Sequence, residues 1–377
     1  MSLFELRGKL SASQSLILGI IGLVIFILFW WVMAEILSVK RPVVDGYTTR
    51  IPTEIEAEEM GIDRDSLLRT DSLRFENATT FTKVYPILPT PLQVVKAFPD
   101  LMKEDELLPN TFLSIWRNLQ GYFWAVLISI PLGFLIGLYP LFRGLFGKQV
   151  DALRYLPLTA LVGIFITWFG IGEPMKISFL AFGIIVYLLP VVIQRIFEVE
   201  DVYLKTVFTL GANNWETIKT VYIPSVMSKL IDDIRVLTAI SWTYIIIAEL
   251  LNKEGGIGAL IYTAGRRGQI PDVFAILIVI IIVGFLQDRV FVYLDKRLFP
   301  HKYQKRRLQG SQEITYGIYS ILGAVVLFLV ASALLGVLGF ASNTIMIYAL
   351  LIVLIASFIL VISGEVKLFG KQKTVDG

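Results

Sequence analysis

Side chains able to do covalent or metal chemistry are scarce in this chain, and that scarcity is the first constraint on its function. There is no cysteine, which removes thiolate ligands, a thiol nucleophile and disulfides. The one histidine, His301, lies in a basic run after an apolar stretch and leaves little for a zinc site or an imidazole base. GLFGK at 144–148 has a glycine and a lysine but neither the spacing nor the hydroxyl residue of a phosphate-binding loop. Gly370-Lys371-Gln372 fails in the same way. No paired carboxylates stand inside an apolar run, and the HExxH pattern is absent. No catalytic residue, metal site or bound cofactor is therefore expected on this chain.

What remains are polar and aromatic groups set in apolar surroundings. Ionisable residues inside a membrane are costly and usually face protein or water. Glu249 ends an apolar run, as an interfacial anchor or as a group at the mouth of a solute path. Arg235 and Asp288 read first as snorkelling groups or a mutual salt bridge, although a positive Arg235 in a water-filled path would suit an anion. Trp168, Trp242 and Tyr244 read as packing or interfacial-belt residues ahead of a substrate cage. Trp168, Arg235, Trp242 and Glu249 are the candidate path residues.

The most informative stretch is 205–224, KTVFTLGANNWETIKTVYIP, which is polar and amphipathic between two apolar segments. Asp201 is expected to cap a short helix running to Leu210. Gly211 suits a helix C-terminus, where a left-handed residue costs no Cβ clash. Asn213 followed by Glu216 is a capping-box pattern for a second short helix. Pro224 is expected to end that helix near Tyr222. Val207, Phe208, Leu210, Trp215 and Ile218 then form an apolar knob suited to a groove on a partner protein.

These residues are held by a chain that is 55% apolar and 17% charged, which excludes a soluble domain with a polar skin for most of its length. Apolar runs recur that are each long enough to cross a hydrocarbon core of roughly 30 Å. Spans are expected near 15–37 (an uncleaved anchor), 112–138, 156–171, 175–196, 227–251, 272–294, 314–338 and 343–363. Pro131, Gly133 and Gly137 predict a kink and a close helix approach in the second. A short interfacial helix is expected in 85–107, entered through Pro89 and Pro91, and 252–271 is Gly-rich. The N-terminus, the basic link 139–154, the 197–224 loop, the basic cluster 296–307 and the tail fall on one side of an eight-span layout. The acid-rich 38–84 segment falls on the other, which places the basic side in the cytoplasm. The Asn77-Ala78-Thr79 triplet is discounted as a glycosylation signal.

Gly211, Val221, Ile223 and Pro224 fall on the spacing of the EAA loop of ABC-importer permeases, which this stretch resembles. The Glu-Ala-Ala triplet itself is replaced by Lys205, Thr206 and Val207. The resemblance extends over roughly 85–300, to the branch importing nitrate, sulfonates, taurine and bicarbonate. It is carried by PILPTPLQVVKAF (86–98), SIPLGFLIG (129–137), WFGIGEPMKI (168–177), Arg235, Ala248-Glu249, GGIGALI (255–261) and Asp288. RYLPL at 154–158 has fewer prolines than the branch's usual run, the 38–84 segment is longer, and the last two spans are additional.

The resemblance implies an all-α polytopic transmembrane helical bundle with a type I ABC importer permease-like core plus two extra C-terminal spans. The expected division is 1–37 (cytoplasmic segment and first span), 38–110 (extracytoplasmic segment and interfacial helix), 111–300 (permease core with coupling loop 201–224), 301–313 (basic linker) and 314–377 (two further, peripheral spans and a basic tail). Lys205, Leu210, Gly211, Ala212, Trp215, Ile218, Val221, Ile223 and Pro224 would meet the ATPase. The implied partners are cytoplasmic ABC ATPase subunits, which carry ATP and Mg, an extracytoplasmic substrate-binding protein, a second permease copy and the lipid bilayer, with no nucleic acid. Both termini would be cytoplasmic. A membrane scaffold built on the same core and an ion-coupled secondary transporter are the rival readings.

Overall fold

The computed structural model describes residues 10–42, 81–252, 254–302, 311–337 and 344–375. The acidic run and the Asn77 triplet within 43–80, the basic residues of 303–307 and the first nine residues lie outside these.

Nearly every described element is helical, and seven helices are long and apolar enough to cross a membrane, or up to eight if one bent pair is counted as a span. The chain divides into two compact units, 1–106 with 263–277, and 107–262 with 278–377. In the first unit, α1 (Ala12–Ile36) starts at a Ser11–Gln14 capping box. Its apolar side chains are mostly exposed, as suits a helix facing lipid. Trp30 on α1 donates Nε1–H to the Pro89 carbonyl at 2.9 Å. Strand β1 (Val39–Pro42) pairs antiparallel with β2 (Phe81–Val84), a small exception to an all-helical chain. Helix α2 (Pro91–Lys103) begins at a Thr90–Gln93 capping box, so the proline entry works as expected, with Pro91 where its missing N–H has no helical partner to lose.

The second unit is built on α3 (Leu107–Leu138) and, further along, α6 (Glu173–Phe197) and α9 (Ile223–Asn252). A Cβ at Gly121 would meet Leu180, and one at Gly137 would meet Ile196 at 2.7 Å, so small residues let α3 and α6 approach closely.

The expected third span is corrected. The basic link 139–154 is largely helical, as α4 (Pro140–Leu153), and it meets the 3-10 turn and α5 (Val162–Phe169) at a bend of 98°. Prolines 140 and 157 start each piece, and Gly170, at φ +72°, stops the second. The region is a broken span or a re-entrant loop, not a straight helix over 156–171. The Gly-rich 252–271 segment is also more ordered than expected, with α10 over Ile257–Arg266.

Beyond α11 (Ile270–Leu298) come α12 (Ser311–Val337) and α13 (Thr344–Val375). They pack on the last helix of the core. Ile314, Ile318 and Val361 form a buried cluster against Tyr293, Leu294 and Leu298 of α11. Glu365 of α13 accepts from Tyr293 Oη at 2.7 Å and from Arg297 Nη2 at 2.6 Å.

Candidate functional site

The amphipathic stretch forms the helix, turn and helix its residues imply. Helix α7 spans Asp201–Thr209. Its N-cap is Glu200 rather than Asp201, and Asp201, as the first helical residue, contributes its charge to the N-terminal turn without a side-chain cap. Gly211 N–H donates to Phe208 at 3.0 Å and Ala212 N–H to Val207 at 3.0 Å, the paired bonds of a Schellman ending. Gly211 takes φ +84°, which a residue with a Cβ adopts only under strain. Asn213 Oδ1 accepts from Glu216 N–H at 2.9 Å, and Glu216 Oε2 accepts from Asn213 N–H at 2.8 Å. This reciprocal box starts α8 (Asn214–Thr217).

Pro224 does not end that helix. A π turn over Ile218–Tyr222 leads directly into α9, so Asn214–Leu251 is one continuous 38-residue span. A proline ring clashes with the carbonyl four residues back, and a widened π turn just before it relieves that clash. Val221 is buried and Ile218 half-buried, while Lys205, Ile223 and Pro224 stay exposed. Leu210 is 82% and Trp215 68% exposed, with Phe208 and Tyr203 beside them in sequence also exposed. These side chains flank the turn at Gly211, beyond the apolar stretches of the neighbouring spans.

Ion pairs hold the base of the stretch. Arg195 at the end of α6 makes a two-pronged contact with Asp233 of α9, both bonds at 2.7 Å, and reaches Glu198 at 2.6 Å. Lys229 donates to the Glu198 carbonyl oxygen at 3.2 Å. The Arg195 guanidinium holds the Glu198 carboxyl below its usual range. The exposed tip thus stands on a fixed base.

The candidate path residues separate. Arg235 is bidentate to Asp288, with Nη2 3.1 Å from Oδ2, which is the mutual salt bridge its sequence reading put first. Trp242 is buried and donates Nε1–H to Gln287 at 3.0 Å, a packing residue. Trp168 is 69% exposed and lines a cavity with Trp124 and Phe182. Glu249 is fully buried, so neither an exposed interfacial anchor nor a solvated group at a path mouth describes it.

Glu249 is instead the centre of a polar hub. It accepts from Arg117 Nη1 at 2.9 Å, Ser114 Oγ at 2.7 Å and Gly258 N–H at 2.9 Å. Arg117 also binds both Glu173 oxygens and donates to the Gly255 and Glu254 carbonyls. Lys176, also fully buried, donates to Glu173 at 3.0 Å. Gly256 sits at φ +99° against the Glu249 carboxylate, where a Cβ would overlap it. Sequence reasoning passed over Arg117, Ser114 and Lys176. The available signal was a cation in each of two apolar spans, Arg117 alone in α3 and Lys176 near the start of α6, which must find an acid.

Comparison with known proteins then places the chain. Residues 129–300 match the family model of the binding-protein-dependent transport system inner membrane component. A protein of Methanocaldococcus jannaschii named as an ABC transporter permease is 30% identical over 55% of this chain and 78% of its own length. This chain belongs to that permease family. The taurine transport system permease TauC of Escherichia coli is 28% identical over 56% of the permease described here and 79% of its own length. A Bacillus subtilis protein named as the aliphatic sulfonates permease SsuC is 29% identical over 56% and 77%. A solved permease-containing structure, the MetNI methionine ABC transporter, aligns at TM-score 0.44 and 17% identity over 50% of this chain and 94% of its own. With its multiple apolar spans, this permease is an integral membrane protein. The matched region ends at residue 300, so α12 and α13 lie beyond it.

Proposed function

We propose that this permease forms the membrane path of an ATP-driven importer for a small anionic solute of the taurine, sulfonate, nitrate or bicarbonate kind. The observation that carries the reading is the exposed 201–224 stretch, whose apolar tip is held out on an ion-paired base. Leu210, Ala212 and Trp215 dock in a groove of a cytoplasmic ATPase subunit, with Lys205 at the edge of the contact. ATP and Mg are bound by that subunit and hydrolysed there. Two permease copies face each other across a two-fold axis, and a soluble binding protein delivers solute from outside. ATP favours one arrangement of the ATPase pair, the loops carry that preference to the spans, and the path changes side. Both termini and the loop lie in the cytoplasm, in keeping with the distribution of Lys and Arg.

The relatives named for taurine and sulfonates support the anionic solute. Arg235 is paired with Asp288, so in this reading the binding protein carries the selection of the anion. Uptake by vesicles carrying the complete importer should be competed by alkanesulfonates and nitrate. Competition by neutral or cationic solutes alone would overturn the solute class.

A further inference from the structure

An apolar cavity of about 890 Å³ lies among α3, α5, α6 and α12. Trp124, Phe165, Trp168 and Phe182 line it on the permease side, and Leu329 and Ala333 of α12 close it. Its one charged lining residue is Glu173, whose carboxylate is already engaged by Arg117 and Lys176. Ser332 spends its hydroxyl on the Leu329 carbonyl within α12. The volume falls within the roughly 300–1,000 Å³ of ligand pockets, and the lining is far more apolar than polar.

The cavity is open at its rim, where Trp168 is 69% exposed, and its bare apolar walls lack dispersion contacts until something from the surroundings covers them. Water is a poor filler of the apolar walls, since apolar cavities stay dry and a water needs several polar partners, and the polar lining is limited to Gln120, Glu173, Ser178 and Ser332. An anionic solute is a poor one too, because the only lining charge is negative. Three of the four helices around the cavity, α3, α6 and α12, are long and apolar enough to span a membrane, so the medium at hand is hydrocarbon. We propose that this cavity is a binding site for the acyl chain of a membrane phospholipid, completed by the appended helix α12.

Two observations make α12 a fixed wall. Its partner α13 is tied to α11 through Glu365, Arg297 and Tyr293. Phe328 of α12 also packs near Trp116 of α3, with ring centroids 6.5 Å apart. The family match stops at residue 300, so the wall formed by Leu329, Ser332 and Ala333 comes from the extension and the other walls from the permease core; none of the lining residues falls in 201–224.

The full chain, reconstituted in phosphatidylcholine vesicles doped with a phosphatidylcholine bearing a diazirine on its acyl chain, tests this by photolabelling and peptide mapping. Adducts on Trp124, Phe165 and Phe182 should exceed those on the lipid-facing Phe26 and Leu28 of α1 several-fold. Ala333→Trp should remove the excess, and the smaller change Ser332→Leu should reduce it, with α1 labelling unchanged as the record of normal insertion. Cavity labelling no higher than on α1 would overturn the proposal, since water or a second copy of the chain would then fill the space. So would labelling untouched by either variant. Protection by added taurine would also overturn it, by making the cavity part of the solute path.

Discussion

At the scale of single residues, the buried hub and the positive-φ glycine make different demands. Arg117 and Glu249 are 132 positions apart in sequence, and each reads alone as an anomaly in an apolar run. Only the fold shows that each neutralises the other, which is why sequence reasoning left Glu249 between anchor and path group and missed Arg117. Removing one member of a buried pair strands the other, at about 3–5 kcal/mol. Arg117→Met should lower the thermal midpoint of the detergent-solubilised permease markedly. Arg117→Met combined with Glu249→Leu should recover part of that loss, and a double variant as unstable as the sum of both singles would argue against direct pairing. Gly211 has open space around it, so a side chain there meets no clash and suffers only backbone strain. That strain is on the order of 1–3 kcal/mol. Gly211→Val should therefore insert and accumulate normally in membrane fractions while misdirecting Trp215, and Gly211→Ala should be milder.

At the scale of elements, sequence reasoning succeeded where the signal was local. Gly211, Asn213 with Glu216, and Thr90 with Gln93 each specify a helix end through neighbours a few positions away, and the chain turns where they stand. It failed where a neighbouring turn absorbed a local rule. Pro224 alone argues for a helix stop, but the π turn before it lets α9 continue. The third span was misread because 156–171 was measured by apolarity, while prolines 140 and 157 divide the segment into two pieces at 98°. The ion-paired base of the loop also carries a pH prediction. The Glu198 pKa is depressed by Arg195, so its contribution is present above the ordinary carboxyl value near 4.5 and is lost as pH falls through the lower folded-state value. Because the chain lacks cysteine, Leu210→Cys gives a single spin-label site at the tip. Label mobility should stay flat from neutral pH down to the ordinary carboxyl range and rise below it. In Glu198→Gln that acid-side step should disappear.

At the scale of the whole molecule, a family core carries an addition that packs into it. The hairpin α12–α13 buries Ile314, Ile318 and Val361 against α11 and gives Arg297 its carboxylate. Truncation after residue 309 should leave a chain that inserts and still recruits its ATPase, but melts at a lower temperature than the full permease. An unchanged melting point would return the hairpin to the status of a bystander. In the function proposed above, the core converts ATP hydrolysis elsewhere into movement of solute, and the 201–224 stretch carries that conversion. The most direct measurement is the ATP hydrolysis rate of vesicles holding permease and ATPase, with and without solute-loaded binding protein, for the natural chain and for Gly211→Val. The account predicts stimulation in the natural chain and its loss, together with uptake, in Gly211→Val. Full stimulation and full uptake in Gly211→Val would contradict it.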